Sequence, residues 1–324
     1  MSPRTSPKTG SSKAPTKRAP AKRRAPSRAA SNPFKARRNK RSWLKAGLLM
    51  LVIAGWYSYE HYIARPAMVF AGVPVHQDWQ TQWTKRIIRN DAFMVGYSDW
   101  LGNPLWVSYQ VLPRPDNAAN LPRPSRFESD WRSLRCLTFV ACITHDDYTG
   151  SGYDRGHLAP NHVIATRYGA QAQQQTFLMT NISPQRPDLN RRTWQRIEAL
   201  AANQFSQAHG PFWVVTGPIF SDKPNFLPSS AKRIAIPDSF YKIFIQPGET
   251  ADQPPKVLAF IVPQNVKGDE DLRTLVVTVR EIEQRTGLNF FHQLDDGVEN
   301  YIETLIDKDS WGLTQRLANQ RARF

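Results

Sequence analysis

The chain has 324 residues, 40% of them hydrophobic, enough for one or two domains with a sizeable core. Its 43 Lys/Arg exceed its 27 Asp/Glu, for a formal charge of +16, but 15 of the basic residues and no acid lie in residues 1–45. The remaining 28 face 27 acids, so residues 46–324 net only +1, and the high charge describes the tail and is weak evidence of what the folded part binds.

Residues 1–42 are a Pro/Ala/Ser/Lys/Arg tract in which Phe34 is the one bulky apolar side chain beyond Met1. Six prolines interrupt any helix, and the composition predicts a disordered basic tail. Residues 43–64 follow, with a nearly pure apolar run from Ala46 to Tyr57. Twelve residues cover only about 18 Å of a hydrocarbon layer of about 30 Å. Trp43, Lys45, Trp56, Tyr57, Tyr59 and Tyr62 extend the reach to the interfaces, and the expectation is a single uncleaved transmembrane signal-anchor. The basic side stays in the cytoplasm, which puts residues 65–324 on the periplasmic face of a bacterial inner membrane. The alternative is mitochondrial import, which the six prolines disfavour because such a signal uses an amphipathic helix.

The body, residues 65–324, reads as α+β. Strands are predicted at Val69–Val75, Phe93–Tyr97 and Leu105–Val111, then irregular loops at Asn117–Asp130 and over 133–150. The second loop carries Cys136 and Cys142, whose spacing fits no metal motif. A loop disulfide in an oxidising compartment and a pair of buried thiols both fit them. Thr176–Asn181 reads as a short strand. Asp188 is placed as the N-cap of a helix reaching Ala208, with Trp194, Ile197, Leu200, Ala201 and Phe205 on its apolar face. Phe212–Thr216, Phe240–Ile245 and Val257–Val262 complete the strands, with a break at Gly217-Pro218. A short strand at Leu275–Val277 and a short helix end at Gly287, a C′ residue.

The polar motifs point to chemistry. Asp154-Arg155-Gly156-His157 lies inside Ser151–Pro160, and Asn181, Asn190, Trp194 and Glu198 follow. Phosphodiester hydrolysis requires a deprotonated water, neutralised phosphorane charge and a stabilised leaving oxygen. A neutral imidazole supplies the first near pH 7. A hard cation with few protein ligands supplies the others. Asn190 offers an amide oxygen, and Glu198, eight residues on, lies on the same side of a helix.

These runs resemble the DNA/RNA non-specific endonucleases, the ββα-metal nucleases that include endonuclease G. SGYDRGHLAP and the Asn-x8-Asn-x3-Trp-x3-Glu spacing from Asn181 to Glu198 carry the resemblance. Ile236-Pro237 with Phe240 and Lys242, Val262-Pro263 with Asn265, and Glu281-Ile282-Glu283 extend it over roughly residues 70–292. The resemblance implies an antiparallel central sheet with flanking helices and a Mg²⁺-dependent hydrolase, Mn²⁺ substituting, that leaves 5′-phosphate ends on DNA and RNA. It implies His157 as general base, Asn190 as the protein ligand of the metal, and Glu198 as the holder of metal-bound waters. Asn181 supports the site, Asp154 is the motif acid, and Arg155 and Arg126 are phosphate-facing cations, with Arg123 the rival to Arg126. The segment 133–146 looks inserted, and Ala201 and Ala202 stand where some relatives carry an arginine. A catalytically weak nucleic-acid-binding or DNA-uptake component is the alternative, and the oligomeric state stays open, a homodimer included.

Overall fold

A computed structural model describes residues 33–118, 120–138, 142–250 and 252–321. Most of the expected disordered tail, residues 1–32, lies outside the described residues. Pro33 opens a helix, Pro33–Tyr59, which a π turn, Glu60–Ala64, continues. Proline suits a helix's first turn, where its missing amide would have no partner. This helix runs across residue 42, where the tail was expected to end. The transmembrane span expected over residues 43–64 falls within this helix and is corrected: among the described residues no helix is long and apolar enough to cross a membrane. The apolar run is too short, and Lys45 on one side and Ser58, Glu60 and His61 on the other dilute any longer window. The single-pass siting in a bacterial inner membrane loses the span it rested on.

The chain divides into two compact units, residues 1–54 and 55–324. In the first, Trp43, Leu44 and Leu48–Ile53 stand exposed. In the second, Glu60 is buried and accepts hydrogen bonds from Arg89 Nη2 at 2.5 Å and Nε at 3.1 Å.

Among the described residues of the second unit, eleven strands follow: β1 Val75–His76, β2 Arg86–Arg89, β3 Phe93–Ser98, β4 Asn103–Val111, β5 Asp154–His157, β6 Ile182–Gln185, β7 Phe212–Ile219, β8 Ser239–Gln246, β9 Lys256–Pro263, β10 Val276–Val277 and β11 Leu288–Asn289. Seven of them form one sheet in the order β10-β9-β8-β7-β4-β3-β2, every neighbouring pair antiparallel. The central strands are buried along almost their whole length because both faces are covered. Side chains alternate between the faces. Tyr109, Val214 and Phe244 pack with Trp194, Ile197 and Phe205 on one side. Trp106, Val215 and Ile243 pack with Ile282, Phe290 and Ile302 on the other. Gly96 makes room for this second core, since a Cβ there would stand 2.2 Å from the Trp106 indole nitrogen.

Several expectations shift. Of Val69–Val75 only Val75 joins a strand, and Pro66–Met68 forms a 3₁₀ turn. The strand expected at Thr176–Asn181 begins instead at Ile182, after a 3₁₀ turn over Met179–Asn181. Gly217-Pro218 does not end β7: pairing with β4 stops at Thr216, and β8 carries the strand on to Ile219. Asp188 makes no capping bond through its side chain. The helix it precedes runs on from Leu189 to His209, with π turns at Leu189–Trp194 and Leu200–Phe205 around an α turn, Gln195–Ala199. Its five expected apolar residues are all buried. Gly287 caps Val279–Thr286 in the left-handed conformation, as expected. Cys136 and Cys142 are joined in a disulfide.

Candidate active site

β5 and β6 form their own antiparallel pair, with Asp154 opposite Gln185 and His157 opposite Ile182. Helices Asn161–Tyr168 and Ala170–Thr176 fill the connection between them. β6 then leads into the helical run 189–209, so the site is built on two strands and a helix. Gly156 is required at the centre of β5 because a Cβ would stand 2.1 Å from Gln185 Oε1. Asn181 is fully buried, and its amide group donates to the carbonyls of Ala159 and Thr176 and accepts from the Ala159 N–H. It thus fixes the chain two residues past His157 without lining the cleft.

The cleft has a volume of about 480 Å³ and brings together Arg123, Arg155, His157, Asn190, Trp194 and Glu198. Asp154 stands behind it. Its carboxylate accepts from Asn190 Nδ2 at 2.9 Å and from Arg191 Nε and Nη2 at 2.8 and 2.7 Å. The Asn190 amide nitrogen is thereby engaged, which leaves the carbonyl oxygen as the atom available to a cation. Arg155 donates to the His145 carbonyl at 3.0 and 2.7 Å and to Thr149 Oγ1. Arg126 is elsewhere: it pairs with Asp146 at 2.6 Å, both side chains about two-thirds exposed, outside the cleft lining. Arg123 takes the cleft position, its guanidinium 5.1 Å from the centre of the Phe177 ring.

His157 lies against Phe127 and Phe177, with ring centres 5.2 and 4.8 Å away, and its buried Nε2 has no hydrogen-bond partner among the described residues. Burial, reinforced by the Arg123 charge, pushes its pKa down to about 3, so the imidazole is neutral at physiological pH. Burial pushes Glu198 up to about 7 against the pull of Lys242. Its side chain keeps 22% of its area open, so cleft water tempers that shift. Lys242 comes from the middle of β8 and is fully buried. Its ammonium lies 3.7 Å from Glu198 Oε1 and 4.4 Å from the centre of the Trp194 ring, and it donates to the Tyr109 hydroxyl at 3.3 Å.

The donors that a cation would meet are oxygens of Asn190 and Glu198, and Glu198 Oε1 has no hydrogen-bond partner among the described residues beyond its 3.7 Å ion pair with Lys242. A small oxygen set beside an open cleft suits a hard, water-retaining cation such as Mg²⁺.

The DNA/RNA non-specific endonuclease family model matches residues 77–297. A nuclease of Nostoc sp. is 31% identical over 226 residues, 67% of this chain and 77% of that protein. The mitochondrial nuclease EXOG of Xenopus laevis is 32% identical over 183 residues, 53% of this chain and 49% of its own, so the chain spans about half of that relative. Mitochondrial endonuclease G of Homo sapiens is 28% identical over 212 residues, 62% of this chain and 67% of that protein. The crystal structure of an EndoG/EndoGI complex superposes with a TM-score of 0.55 at 25% identity, over 64% of this chain and 86% of that one. These relatives set the class as nuclease. The chain itself belongs to the DNA/RNA non-specific endonuclease family.

Arg191 was not singled out in the sequence, and Lys242 was quoted there without its place behind the cleft, against Glu198. For Arg191 no signal distinguishes it from Arg192 beside it. For Lys242 the signal is a single charge inside Phe240–Ile245, an otherwise apolar buried run.

Proposed function

We propose that the cleft hydrolyses phosphodiester bonds of DNA and RNA with Mg²⁺, Mn²⁺ substituting, and leaves 5′-phosphate ends. The observation that carries this is the convergence of His157, Asn190 and Glu198 on one cleft from a strand and a helix. His157 takes the proton of the attacking water: its aromatic surroundings hold the imidazole in the neutral form a base needs, and the negative charge of a phosphate seated beside it offsets the desolvation and the Arg123 charge that weaken it as a base. Asn190 and Glu198 would hold the cation and its waters, and Asp154 orients Asn190. Such a cation would supply Lewis-acid neutralisation of the charge that develops on the phosphate and the leaving oxygen. Arg123 and Arg155 attract and seat the phosphate. Recognition through phosphate carries no sequence information, which fits cleavage without base preference. The Cys136–Cys142 disulfide supports an oxidising compartment for the body.

Plasmid and RNA digestion by the full chain tests the reading. His157→Ala is expected to lower kcat by roughly 10²–10⁴-fold with an unchanged circular dichroism spectrum. EDTA is expected to stop the wild type, and Mg²⁺ or Mn²⁺ to restore it. Full turnover in EDTA, or a near wild-type kcat in the variant, would reject the mechanism.

A further inference from the structure

A second cavity, of about 830 Å³, opens on the body and shares no lining residue with the catalytic cleft. Lys85, Arg86, Arg135, Lys232 and Arg233 line it against one carboxylate, Asp99. Arg135 is spent on scaffolding, since its guanidinium donates to the carbonyls of Asp99, Trp100 and Lys232. Lys85 donates to the Pro74 carbonyl, Arg86 pairs with Asp99 at 3.5 Å, and Lys232 pairs with Asp147 at 2.8 Å. Counting Asp147 with Asp99 still leaves an excess of three positive charges.

The same wall carries Trp100, which is 73% exposed. An indole so exposed contributes little to the core. The guanidinium of Arg233 lies 5.8 Å from its ring centre and 4.2 Å from that of Phe226. Arg233 holds this place with φ at +53°, a left-handed conformation that costs a non-glycine residue energy and is found where the surroundings impose it. An open aromatic face beside surplus cations matches the needs of a single nucleic-acid strand. Bases stack on the ring and phosphates seat on the basic groups.

The position favours the same ligand. Arg155 of the cleft donates to the His145 carbonyl, and Lys232 of the second cavity pairs with Asp147, two residues away on one turn. Standard chain dimensions then keep the two cations within roughly 20 Å, fewer than about six base steps of 3.4 Å along a strand. A polyanion cut in the cleft is long enough to reach both.

We propose that this cavity is a second nucleic-acid site, which grips a single-stranded stretch of the substrate by stacking a base on Trp100 and seating phosphate on Arg233 and its neighbours. It rests on the reading of the cleft as phosphodiester-cleaving. The site contributes to affinity for long chains and takes no part in the bond cleavage.

The test uses the full chain. A single-stranded oligonucleotide carrying 5-iodouracil is irradiated with the protein in EDTA, and the crosslinked peptide is mapped. Separately, KM and kcat of Trp100→Ala and Arg233→Asn are measured with Mg²⁺ on long single-stranded DNA and on an oligonucleotide that fills only the cleft. Asparagine tolerates the left-handed backbone at position 233. Expected are a crosslink at Trp100 and a KM for long DNA raised about fivefold or more, with kcat and the short-substrate KM unchanged. Loss of the Arg233 charge should also lower the salt slope of binding by about one. No crosslink at Trp100, or long- and short-substrate KM values that move together, would overturn the proposal. Crosslinking at Trp100 by a protein that cuts nothing would keep this site and reject the cleft reading. Normal cutting with KM independent of length would do the reverse.

Discussion

On the proposed reading, Asp154 acts through Asn190 and not on the substrate. Its carboxylate fixes the amide of Asn190 and is itself held by Arg191. Asp154→Ala is therefore expected to weaken Mn²⁺ binding by about 10–100-fold, by calorimetry, while the melting temperature stays close to wild type. Lys242 acts on the other oxygen donor. Removing a buried partner charge leaves Glu198 desolvated and uncompensated. Lys242→Met, similar in length and apolar, is expected to raise the Mn²⁺ Kd by at least tenfold, and an unchanged Kd would dissociate Lys242 from the site. His157, Asn190 and Glu198 were legible in the sequence because their spacing carries the information. The choice of Arg123 over Arg126 was not, since the two lie three residues apart on an irregular loop whose path no local pattern fixes. Lys242 was hidden for a related reason: its meaning depends on β8 passing beneath the helix that carries Glu198.

At the scale of elements, the apolar strands and the long helix were legible, because burial on both faces writes itself as continuous hydrophobic runs. β5 was not. Its residues, Asp-Arg-Gly-His, have no strand pattern, and pairing with β6 and the close approach of Gln185 to Gly156 define it. A second effect at this scale joins helix Val279–Thr286 to helix Asp296–Thr304. Glu303 is 1% exposed there, near Glu283, with Arg280 Nη2 at 2.8 Å. Burial first, then the Glu283 charge, pushes Glu303 up to about 8. An unfolded glutamate titrates near 4.5, so the folded state binds the proton more tightly. The stability this contributes is full below pH 4.5 and is lost as pH rises through about 8. Glu303→Gln keeps the shape and removes the ionisation, and its melting temperature is expected to vary less with pH across that window than the wild type's. Parallel curves for the two proteins would rule this linkage out.

For the whole molecule, the disulfide closes only the short loop from Cys136 to Cys142. Chain entropy gives such a loop about 2 kcal/mol. The double substitution Cys136→Ser/Cys142→Ser is expected to lower the melting temperature by only a few degrees, read by calorimetry, and to leave turnover intact. A collapse of the fold would mean that the segment around it carries far more of the stability than its place on the periphery implies.

The two ends of the central sheet set how copies of this protein can meet. One edge strand, β10, has just two residues; the other, β2, has four and carries an arginine at each end. Arg89 is moreover tied to Glu60, and Arg86 to Asp99. A neighbouring chain would have to displace those ion pairs to extend the sheet past β2. The tied arginines disfavour strand-to-strand growth at the β2 edge and leave side-chain surfaces as the readier route to self-association there.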